Sequence, residues 1–328
     1  MIKKELLETL KTSKNLLAFS AGADSTALFY LLLEYKIPFD IAIVNYNTRS
    51  SSADEEKKAY TIAKENGLTC YSKSLRLDEK NFEHNARVER YNFFNSLILE
   101  HNYTNLLTAH HLGDRLEWFL MQLSRGAGLY ELLGISESTK ESTHNIVRPL
   151  LHLQKSELIE YLNSRNITWF EDETNLDESY DRNLIRSKFA SPLLEKSAKN
   201  ILKSFEYLEE DLSLLIEDIE VKQVNKLFYF KTSYLRRGTI VTIDQTLKRD
   251  GFLMRRGDKE DLKTKDTLVV GRKYVVNITS KYTFIAPFIE QIMSKEFKEK
   301  CRSLNIEPKL RPYLFNNEEA FEVLKNLV

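Results

Sequence analysis

Two hydrophobic periods alternate along the first 110 residues of the chain. Short apolar runs, typical of buried strands, are each followed by a longer segment whose apolar residues recur at helical spacing. Strands that alternate with helices indicate a parallel, doubly wound α/β sheet covered by helices on both faces. The predicted strands are Asn15–Phe19, Phe39–Asn45, 68–75 and 105–109, and the predicted helices are 26–35, 53–66 and 82–100.

The pattern changes after Pro149. Residues 153–165 and 191–221 have apolar residues at helical spacing, and short segments rich in β-branched and aromatic residues follow from Asn225. We predict strands in KLFYF, GTIVTI, TLVVG, KYVVNITS and YTFIA, and a final amphipathic segment at 288–304. The expected organisation is an α/β domain at 1–190, a helical linker at 191–225 and a small α+β domain at 226–328.

The charges are divided unevenly along the chain, although the whole sequence has 48 Lys and Arg against 48 Asp and Glu. Residues 226–328 contain 21 basic and 13 acidic residues, so this segment has a net charge of +8 and the preceding 225 residues a net charge of −8. A basic C-terminal segment is typical of a domain that binds a polyanion such as nucleic acid. A chance distribution or a charge-complementary domain interface would give the same numbers.

Composition excludes several classes of protein. With 42% hydrophobic and 29% charged residues, the chain is typical of globular rather than disordered proteins. No apolar run approaches the roughly 20 residues that span a bilayer, and the N-terminus lacks the pattern of a secretory signal. Cys70 and Cys301 form no CxxC motif, which argues against a zinc or iron–sulfur site and for a reducing compartment. We therefore expect a cytoplasmic protein without membrane association.

The segment FSAGADS, residues 19–25, joins a predicted strand to a predicted helix. Its small residues let backbone N–H groups approach an anion, its serines add hydroxyl donors, and the helix directs its positive end to the same place. The segment lacks the Gly-Lys-Ser/Thr ending of a Walker loop. We predict that the nucleotide cofactor is bound by Ser20, Ala21, Gly22, Ala23, Ser25 and, after the next strand, Asn45, and that Asp24 takes part through Mg²⁺ rather than by touching a phosphate, since two anions repel.

Further polar residues follow the predicted strand 105–109. Ligands of parallel sheets bind beyond the carboxyl ends of the strands, so residues 20–25, 45–49 and 110–114 are expected to converge. His110 and His111 come directly after the strand, where an imidazole can bind phosphate or shuttle a proton near neutral pH.

Three acidic and two basic residues each have two interpretations from the sequence. Asp24 either holds Mg²⁺ against the phosphates or caps the helix that follows it. Arg87 and Arg90 share a helix face, where they either neutralise phosphate charge or form a solvated surface pair. Asp114 and Glu117 also share a face, where they either recognise an ammonium group and deprotonate an amine, or complement the helix dipole.

Several segments in fixed order carry a resemblance to a known family. After the loop SAGADS come IAIVNYNTRSSSADEE, ARVERYNFF, TAHHLGDRLEWFLMQLSRGAGLYELLGI, RPLL and WFEDETNLDESYDRNLIR, and near the end MRRGD and IEPKLRPYLF. In this order they resemble the motifs of the bacterial tRNA(Ile)-lysidine synthetases, members of the PP-loop ATP pyrophosphatase superfamily. The resemblance covers about residues 15–190 well and the remainder loosely.

The resemblance implies a fold and a reaction. The α/β domain would be an ATP-binding catalytic domain with a doubly wound sheet of the PP-loop ATPase type, and residues 226–328 would bind tRNA. The wobble cytidine of an isoleucine tRNA with a CAU anticodon would attack the α-phosphate of ATP through its O2 atom and release pyrophosphate. The ε-amine of L-lysine would then displace AMP from C2. ATP and Mg²⁺ are the implied cofactors, and homodimer formation is left open.

The resemblance also implies roles for individual residues. Asp24 would hold the metal and act in catalysis, and Asp114 and Glu117 would bind lysine. Arg125, Gly126 and Arg148 would support the site or contact RNA, and Arg182, Asn183 and Arg186 would latch the linker helix or contact the tRNA backbone. The remaining catalytic residues would be Arg87, Arg90 and His110, and the residues expected to contact tRNA are Arg182, Arg186, Arg255 and Arg256.

The chain departs from the family pattern at several site positions, which are Ala21 for Gly, Tyr46 and Asn47 for His and Gly, Gly113 for Asp, Arg115 for Gln and Trp118 for Thr. If the backbone at Ala21 needs a positive φ angle, alanine costs on the order of 1 kcal/mol there.

Three alternative functions remain at this point. They are tRNA thiolation, which commonly uses cysteines that this chain does not arrange in a CxxC motif, a small-molecule PP-loop amidation, and a non-catalytic tRNA-binding paralogue.

Overall fold

The computed structural model of the chain describes residues 1–47, 52–76, 82–171, 181–217 and 219–328, without the side chains of residues 83 and 181. It divides into two compact units, Met1–Glu209 and Glu210–Val328. The boundary falls within 191–225, where we expect a linker, and the three-part division of the chain stays a prediction. Residues 48 and 49 of the expected ligand edge and most of the segment DETNLDESYD lie outside the described residues.

Unit 1 has a mostly parallel sheet with strand order β3-β2-β1-β4-β6-β5. Every neighbouring pair is parallel except β5 and β6, which are antiparallel. This confirms the predicted fold class and adds one antiparallel edge strand. The strands are β1 (Asn15–Phe19), β2 (Phe39–Asn45), β3 (Cys70–Ser74), β4 (Asn105–Leu107), β5 (Ser138–Lys140) and β6 (Asn145–Val147).

Helices cover both faces of this sheet because side chains alternate along each strand. In β1, Leu17 packs in the cluster that contains α2, whereas Leu16 packs against Phe94 and Leu97 of α4 on the opposite face. The described helices of unit 1 are α1 (Lys4–Lys11), α2 (Ala23–Glu34), α3 (Ser52–Glu65), α4 (Phe82–His101), α5 (Leu112–Ser124), α6 (Leu129–Leu132), α7 (Lys155–Ser164) and α8 (Asp181–Ile185). A π-helical segment, Arg186–Ala190, joins α8 to α9 (Ser191–Leu215), in which the unit boundary lies.

A row of asparagines connects the strands of unit 1 at their amino ends. The Asn105 amide donates to Asn15 Oδ1 at 2.9 Å, and the Asn145 amide donates to Asn105 Oδ1 at 3.1 Å. The Asn15 amide donates in turn to the carbonyls of Leu10 and Pro38, both at 2.8 Å. Since Asn15 and Asn105 are buried, these bonds hold β1, β4 and β6 in one register.

Unit 2 has an antiparallel sheet with strand order β7-β8-β11-β10-β9. Its strands are β7 (Lys222–Val224), β8 (Leu227–Lys231), β9 (Thr267–Val270), β10 (Tyr274–Ile278) and β11 (Tyr282–Pro287). Its described helices are α10 (Arg236–Arg249), α11 (Arg256–Asp261), α12 (Lys295–Ser303), α13 (Arg311–Phe315) and α14 (Glu318–Lys325). The predicted α+β class of this part is confirmed. No described helix of the chain has the length and apolar character needed to cross a membrane.

One strand prediction in unit 2 is wrong. GTIVTI lies inside α10, although its β-branched residues favour a strand. Ile240, Ile243 and Leu247 share one helix face and pack in an apolar cluster with residues of β10 and β11. The Thr242 hydroxyl donates to the Gly238 carbonyl at 3.1 Å, within the same helix. Burial of a helical stripe therefore outweighs the intrinsic strand preference of these residues.

The asparagine row generates a stability prediction. Replacing Asn105 by alanine leaves the Asn15 oxygen and the Asn145 amide without their partners, and we expect the free energy of unfolding to fall by about 2 to 3 kcal/mol. Asn163→Ala, at an exposed position of α7, is the control and should change it by less than about 0.5 kcal/mol. Urea denaturation measures both. An Asn105→Ala variant as stable as the control would contradict a structural role for the row.

Candidate active site

The loop of residues 19–25, named the phosphate loop after its predicted ligand, connects β1 to α2. Ala21 has a φ angle of 59°, so the left-handed conformation expected there is present, and its side chain is fully buried. The Ser25 hydroxyl accepts from the Ser20 N–H at 3.2 Å and lies 3.0 Å from the Ser20 hydroxyl. Helix α2 begins after Gly22, which provides no side-chain cap. Among the described residues, no side chain caps the start of α2, so a ligand or water can accept from N–H groups of its first turn.

Asp24, in the first turn of α2, faces the start of α5. Its Oδ2 atom lies 3.8 Å from His111 Nε2, and Asp114 Oδ2 lies 3.6 Å from the same nitrogen. His111 Nδ1 accepts from the Gly113 N–H at 3.0 Å, so the neutral ring carries its proton on Nε2, between the two carboxylates. The expected convergence of 20–25 with 110–114 is thus present. Asp24 Oδ1 is buried and has no hydrogen-bond partner among the described residues.

The two carboxylates of α5 are paired with two arginines in this structure. Arg182 binds Asp114 Oδ1 through Nη2 and Glu117 Oε2 through Nε, the latter at 2.8 Å. Arg186 Nε lies 2.6 Å from Glu117 Oε1. The Glu117 side chain is 2% exposed, and the Asp114 side chain 11%. The structure thus joins the residues predicted to bind lysine and two of those predicted to contact tRNA in one charged cluster.

Asp114 also caps the helix on which it lies. Its Oδ2 atom accepts from the His111 N–H at 3.0 Å, and this bond completes a capping box with the His111 ring. Burial by itself raises the pKa of the Asp114 carboxyl, but the neighbouring histidines, Arg182 and the His111 N–H outweigh burial and hold the pKa below its ordinary value. Asp114 is therefore a carboxylate throughout the physiological pH range.

His110 is a neutral imidazole at neutral pH. Its Nδ1 atom lies 2.9 Å from the Thr108 hydroxyl. Burial lowers the pKa of His110 to about 4; Asp114 opposes this shift, and three nearby arginines, Arg148, Arg182 and Arg87, add to it. His110 can therefore exchange hydrogen bonds with a phosphate or base without adding charge. A proton shuttle near neutral pH is not favoured by this pKa.

Arg87 and Arg90 of α4 have different neighbours. The Arg87 guanidinium lies 5.0 Å from the centre of the Tyr91 ring. The Tyr46 hydroxyl donates to the Ala86 carbonyl of α4 at 3.1 Å. Burial raises the pKa of Tyr46, and the nearby positive charge of Arg90 opposes that shift. Tyr46, which departs from the family pattern, therefore lies beside Arg90. The catalytic roles of both arginines stay predictions.

The remaining predicted residues lie farther along the chain or have structural partners. The Asn45 amide donates to Glu56 at 2.9 Å and its oxygen accepts from the Asn47 N–H, so this side chain organises the end of β2. Arg148 donates to the Ser136 carbonyl at 2.8 Å. In unit 2, exposed arginines 255 and 256 stand at the start of α11. Their contacts with tRNA, like the roles of Asn45 and Arg148, stay predictions.

Three departures on α5 have structural explanations. A Cβ atom at Gly113 would lie 2.6 Å from His111 Cε1, so the His111 cap leaves space only for glycine. The buried Arg115 side chain stacks 4.2 Å from the Phe205 ring of α9 and forms an ion pair with Glu209. The Trp118 indole donates to the Glu131 carbonyl at 2.9 Å. The Arg115 and Trp118 side chains thus support α5 through partners other than Asp114 and Glu117.

A cavity of about 140 Å³ connects the phosphate loop with the carboxylates of α5. Its lining residues are Asp24, His111, Gly113, Asp114, Glu117, Lys155, Arg186, Ala190, Ser191 and Leu194. Sequence reasoning missed Lys155, Ala190, Ser191 and Leu194. The available signal for Lys155 was a lysine at the start of a predicted helix directly after the RPLL segment.

The chain matches known proteins over most of its length. A family model described as a PP-loop domain matches residues 2–193. A protein named tRNA(Ile)-lysidine synthase from Wolinella succinogenes is 42% identical over 94% of this chain and 94% of its own length. Proteins of the same name from Campylobacter jejuni and Helicobacter pylori are each 39% identical, covering 97% and 95% of this chain and 97% and 92% of their own lengths.

A solved structure shares the fold at low sequence identity. It is the U34-tRNA thiolase NcsA from Methanococcus maripaludis with its 4Fe-4S cluster. The TM-score is 0.52 at 19% identity, over 64% of this chain and 75% of the thiolase. This likeness concerns the fold alone.

The His111 cap predicts opposite effects at two glycines. Gly113→Ala places a methyl group against the His111 ring and disrupts the cap, so we expect the free energy of unfolding to fall by about 1 to 3 kcal/mol. Gly257→Ala in α11 meets nothing within 4 Å and should be neutral or stabilising by up to about 1 kcal/mol. Thermal and urea unfolding compare the two variants. Equal effects would contradict the steric role assigned to Gly113.

The low pKa of His110 predicts a loss of stability in mild acid. The unfolded chain binds a proton at this histidine near pH 6.5 and the folded chain only near pH 4, so stability falls as pH decreases between these values. His110→Gln removes this contribution. The wild type should lose up to about 3 kcal/mol more than the variant between about pH 7 and pH 4. Denaturation at several pH values measures the free energy of unfolding of both proteins. If the wild type and His110→Gln lose equal stability between about pH 7 and pH 4, the pKa of His110 is not lowered by folding.

Proposed function

The chain belongs to the tRNA(Ile)-lysidine synthases with a PP-loop domain, and from this membership we propose that it joins lysine to the wobble cytidine of isoleucine tRNA. It is a ligase that forms a carbon–nitrogen bond at C2 of the cytidine and converts ATP to AMP and pyrophosphate. One observation of the site carries the proposal. Asp24 of the phosphate loop and the carboxylates of α5 line the same cavity, so a nucleotide phosphate and an amine can meet there.

ATP binds, in this proposal, at the loop from Ser20 to Ser25 and at the open N-terminus of α2. Magnesium fits the donor set beside this loop. Mg²⁺ is commonly held by one or two carboxylates together with substrate phosphates, and Asp24 supplies a carboxylate with an unpaired oxygen. No group of three or more metal-ligating side chains occurs in the described part of the chain, so the phosphates would complete the coordination. When bound, the ion neutralises the charge that pyrophosphate carries away.

The first step is attack of the cytosine O2 atom on the α-phosphate of ATP. Arg87 and Arg90 contribute positive charge near the reacting phosphate, and Tyr46 lies beside Arg90. His110 donates or accepts a hydrogen bond as a neutral imidazole, since its pKa is about 4. Adenylation converts the base oxygen into a good leaving group, so the protein contributes mainly positioning and charge neutralisation.

The second step is attack of the lysine amine on C2 of the adenylated base. Asp114 and Glu117 attract the lysine ammonium and a carboxylate accepts the proton that the attacking nitrogen loses. Arg182 and Arg186 form ion pairs with these carboxylates and compensate their charge. The bond between C2 and O2 breaks, and AMP leaves with the base oxygen.

The polynucleotide is recognised mainly through its phosphates and its anticodon. Arg182 and Arg186 remain candidates for tRNA contacts beside the cavity, and Arg255 and Arg256 are exposed on basic unit 2. We propose that unit 2 distinguishes the isoleucine tRNA from methionine tRNAs with the same CAU anticodon. A cytoplasmic location accords with this substrate, and formation of a homodimer is an open part of the proposal.

Protein-based thiolation is disfavoured by the state of the two cysteines. Burial raises the pKa of the Cys70 thiol to about 12, and burial also raises the pKa of Cys301. Neither side chain is a thiolate at neutral pH, and a thiolate is the form that attacks or transfers sulfur. The alternative that remains is a tRNA-binding paralogue without chemistry.

The test of the proposed function measures pyrophosphate release with ATP, Mg²⁺ and a CAU-anticodon isoleucine tRNA transcript, with and without labelled lysine. We expect release that depends on this tRNA and transfer of the lysine label to RNA. A methionine tRNA with the same anticodon is the control and should stay unlabelled. Tight tRNA binding without pyrophosphate release would identify a non-catalytic paralogue, and release without label on RNA would identify a different nucleophile.

Asp24→Asn tests the metal role within this assay. The variant keeps the size of the side chain but loses the charge that holds Mg²⁺, so pyrophosphate release should slow by about 100-fold or more. The affinity for tRNA, measured by filter binding, should be unchanged. Asp211→Asn, an exposed replacement in α9, is the matched control and should retain full activity. Unchanged turnover of Asp24→Asn would exclude the metal role.

A further inference from the structure

We propose that Lys155 binds the phosphate chain of ATP and holds pyrophosphate as it leaves, an inference that rests on the proposed function. Lys155 is the first residue of α7 and lines the cavity that contains Asp24. It is exposed, and it forms no ion pair or hydrogen bond with the parts of the chain that the structure describes. Its ammonium group is therefore available to a ligand in the cavity.

The backbone around Lys155 is fixed relative to the reacting groups. The Leu112 N–H, at the start of α5, donates to the Leu153 carbonyl at 2.9 Å. The Gln154 N–H donates to Glu157 Oε2 at 2.7 Å, which caps α7. These bonds place the first residue of α7 beside the first turn of α5, whose His111 faces Asp24. Lys155 therefore lines the cavity from a helix start whose backbone is fixed beside α5.

The N-terminus of α5 differs from those of α2 and α7 in the groups that satisfy its N–H donors. At the start of α5 the His111 ring accepts from the Gly113 N–H, whereas neither Gly22 of α2 nor Gln154 of α7 provides a side-chain cap bond. A polyanion can therefore bind the helix N–H donors at α2, and Lys155 adds a side-chain cation from the start of α7.

The charges that line the cavity also favour a phosphate contact at Lys155. Three carboxylates line it, Asp24, Asp114 and Glu117, and each repels an incoming polyphosphate. Arg186, the arginine of the lining, is bonded to Glu117 and largely compensates that carboxylate. Lys155 is the other cation of the lining. A flexible, strongly hydrated ammonium suits a phosphate that has to bind and then leave.

The proposed contact joins the Lys155 ammonium to the pyrophosphate group, whose negative charge increases during the first step. The bond from the cytosine O2 to the α-phosphorus forms while the bond from that phosphorus to the bridging oxygen breaks. Pyrophosphate departs with the electron pair of the broken bond and gains negative charge. The Lys155 ammonium neutralises part of that charge and transfers no proton.

Binding of inorganic pyrophosphate and of ATP, each with Mg²⁺, tests the inference by calorimetry on the full chain. Lys155→Met keeps the length of the side chain and removes its charge, so the dissociation constants should rise by about 10- to 100-fold. Lys155→Arg keeps the charge and should stay within about 5-fold of the wild type. Lys64→Met, an exposed replacement in α3, is the matched control and should bind as the wild type does.

Two results would overturn the inference. Lys155→Met could bind both phosphates as tightly as the wild type, or it could raise only the KM for lysine, which would assign Lys155 to the amino-acid carboxylate instead. The binding assay needs neither tRNA nor lysine, so it is independent of the proposed function. A wild type that binds pyrophosphate but leaves tRNA unmodified would refute the function alone, and an active wild type with an unaffected Lys155→Met variant would refute this inference alone.

Discussion

A carboxylate that is removed from water has to be paired, and helix α5 carries two such groups one turn apart, Asp114 and Glu117. Arg182 and Arg186 provide the pairing, so the start of α8 and the π-helical segment are held against α5. Breaking a buried pair by removing one partner typically costs about 3 to 5 kcal/mol. This requirement gives the cavity its shape, with phosphate-loop groups at one end and compensated carboxylates at the other.

Much of the fold could be predicted because its signals are local. The strand pattern of 15–107 and the small residues between β1 and α2 depend on neighbours in sequence, and the carboxyl-end rule then brings Asp24 to His111. The pairing of Arg182 with Glu117 joins residues that are 65 positions apart, so no local spacing predicts it. The helical state of α10 depends on burial against a sheet, and strand preference alone misidentifies it.

Several departures from the family pattern have identifiable neighbours in the structure. Gly113 leaves space for the His111 ring, Arg115 stacks on Phe205, and the Tyr46 hydroxyl donates to the Ala86 carbonyl. Ala21 accepts a left-handed backbone, which costs an alanine on the order of 1 to 2 kcal/mol. Asp24, Asp114 and Glu117 keep their chemical character, so the changes alter the support of the site rather than its reacting groups.

The central claim is that one cavity activates a base oxygen with ATP and then exchanges that oxygen for an amine. The most direct test uses isoleucine tRNA whose wobble cytidine carries oxygen-18 at O2, incubated with the protein, ATP, Mg²⁺ and lysine. Mass spectrometry of the AMP product follows the label. The account predicts that AMP contains the heavy oxygen, in proportion to the lysine joined to RNA. Lysine transfer that leaves AMP unlabelled would contradict adenylation of the base. It would also contradict the assignment of the phosphate loop to ATP and of the α5 carboxylates to lysine.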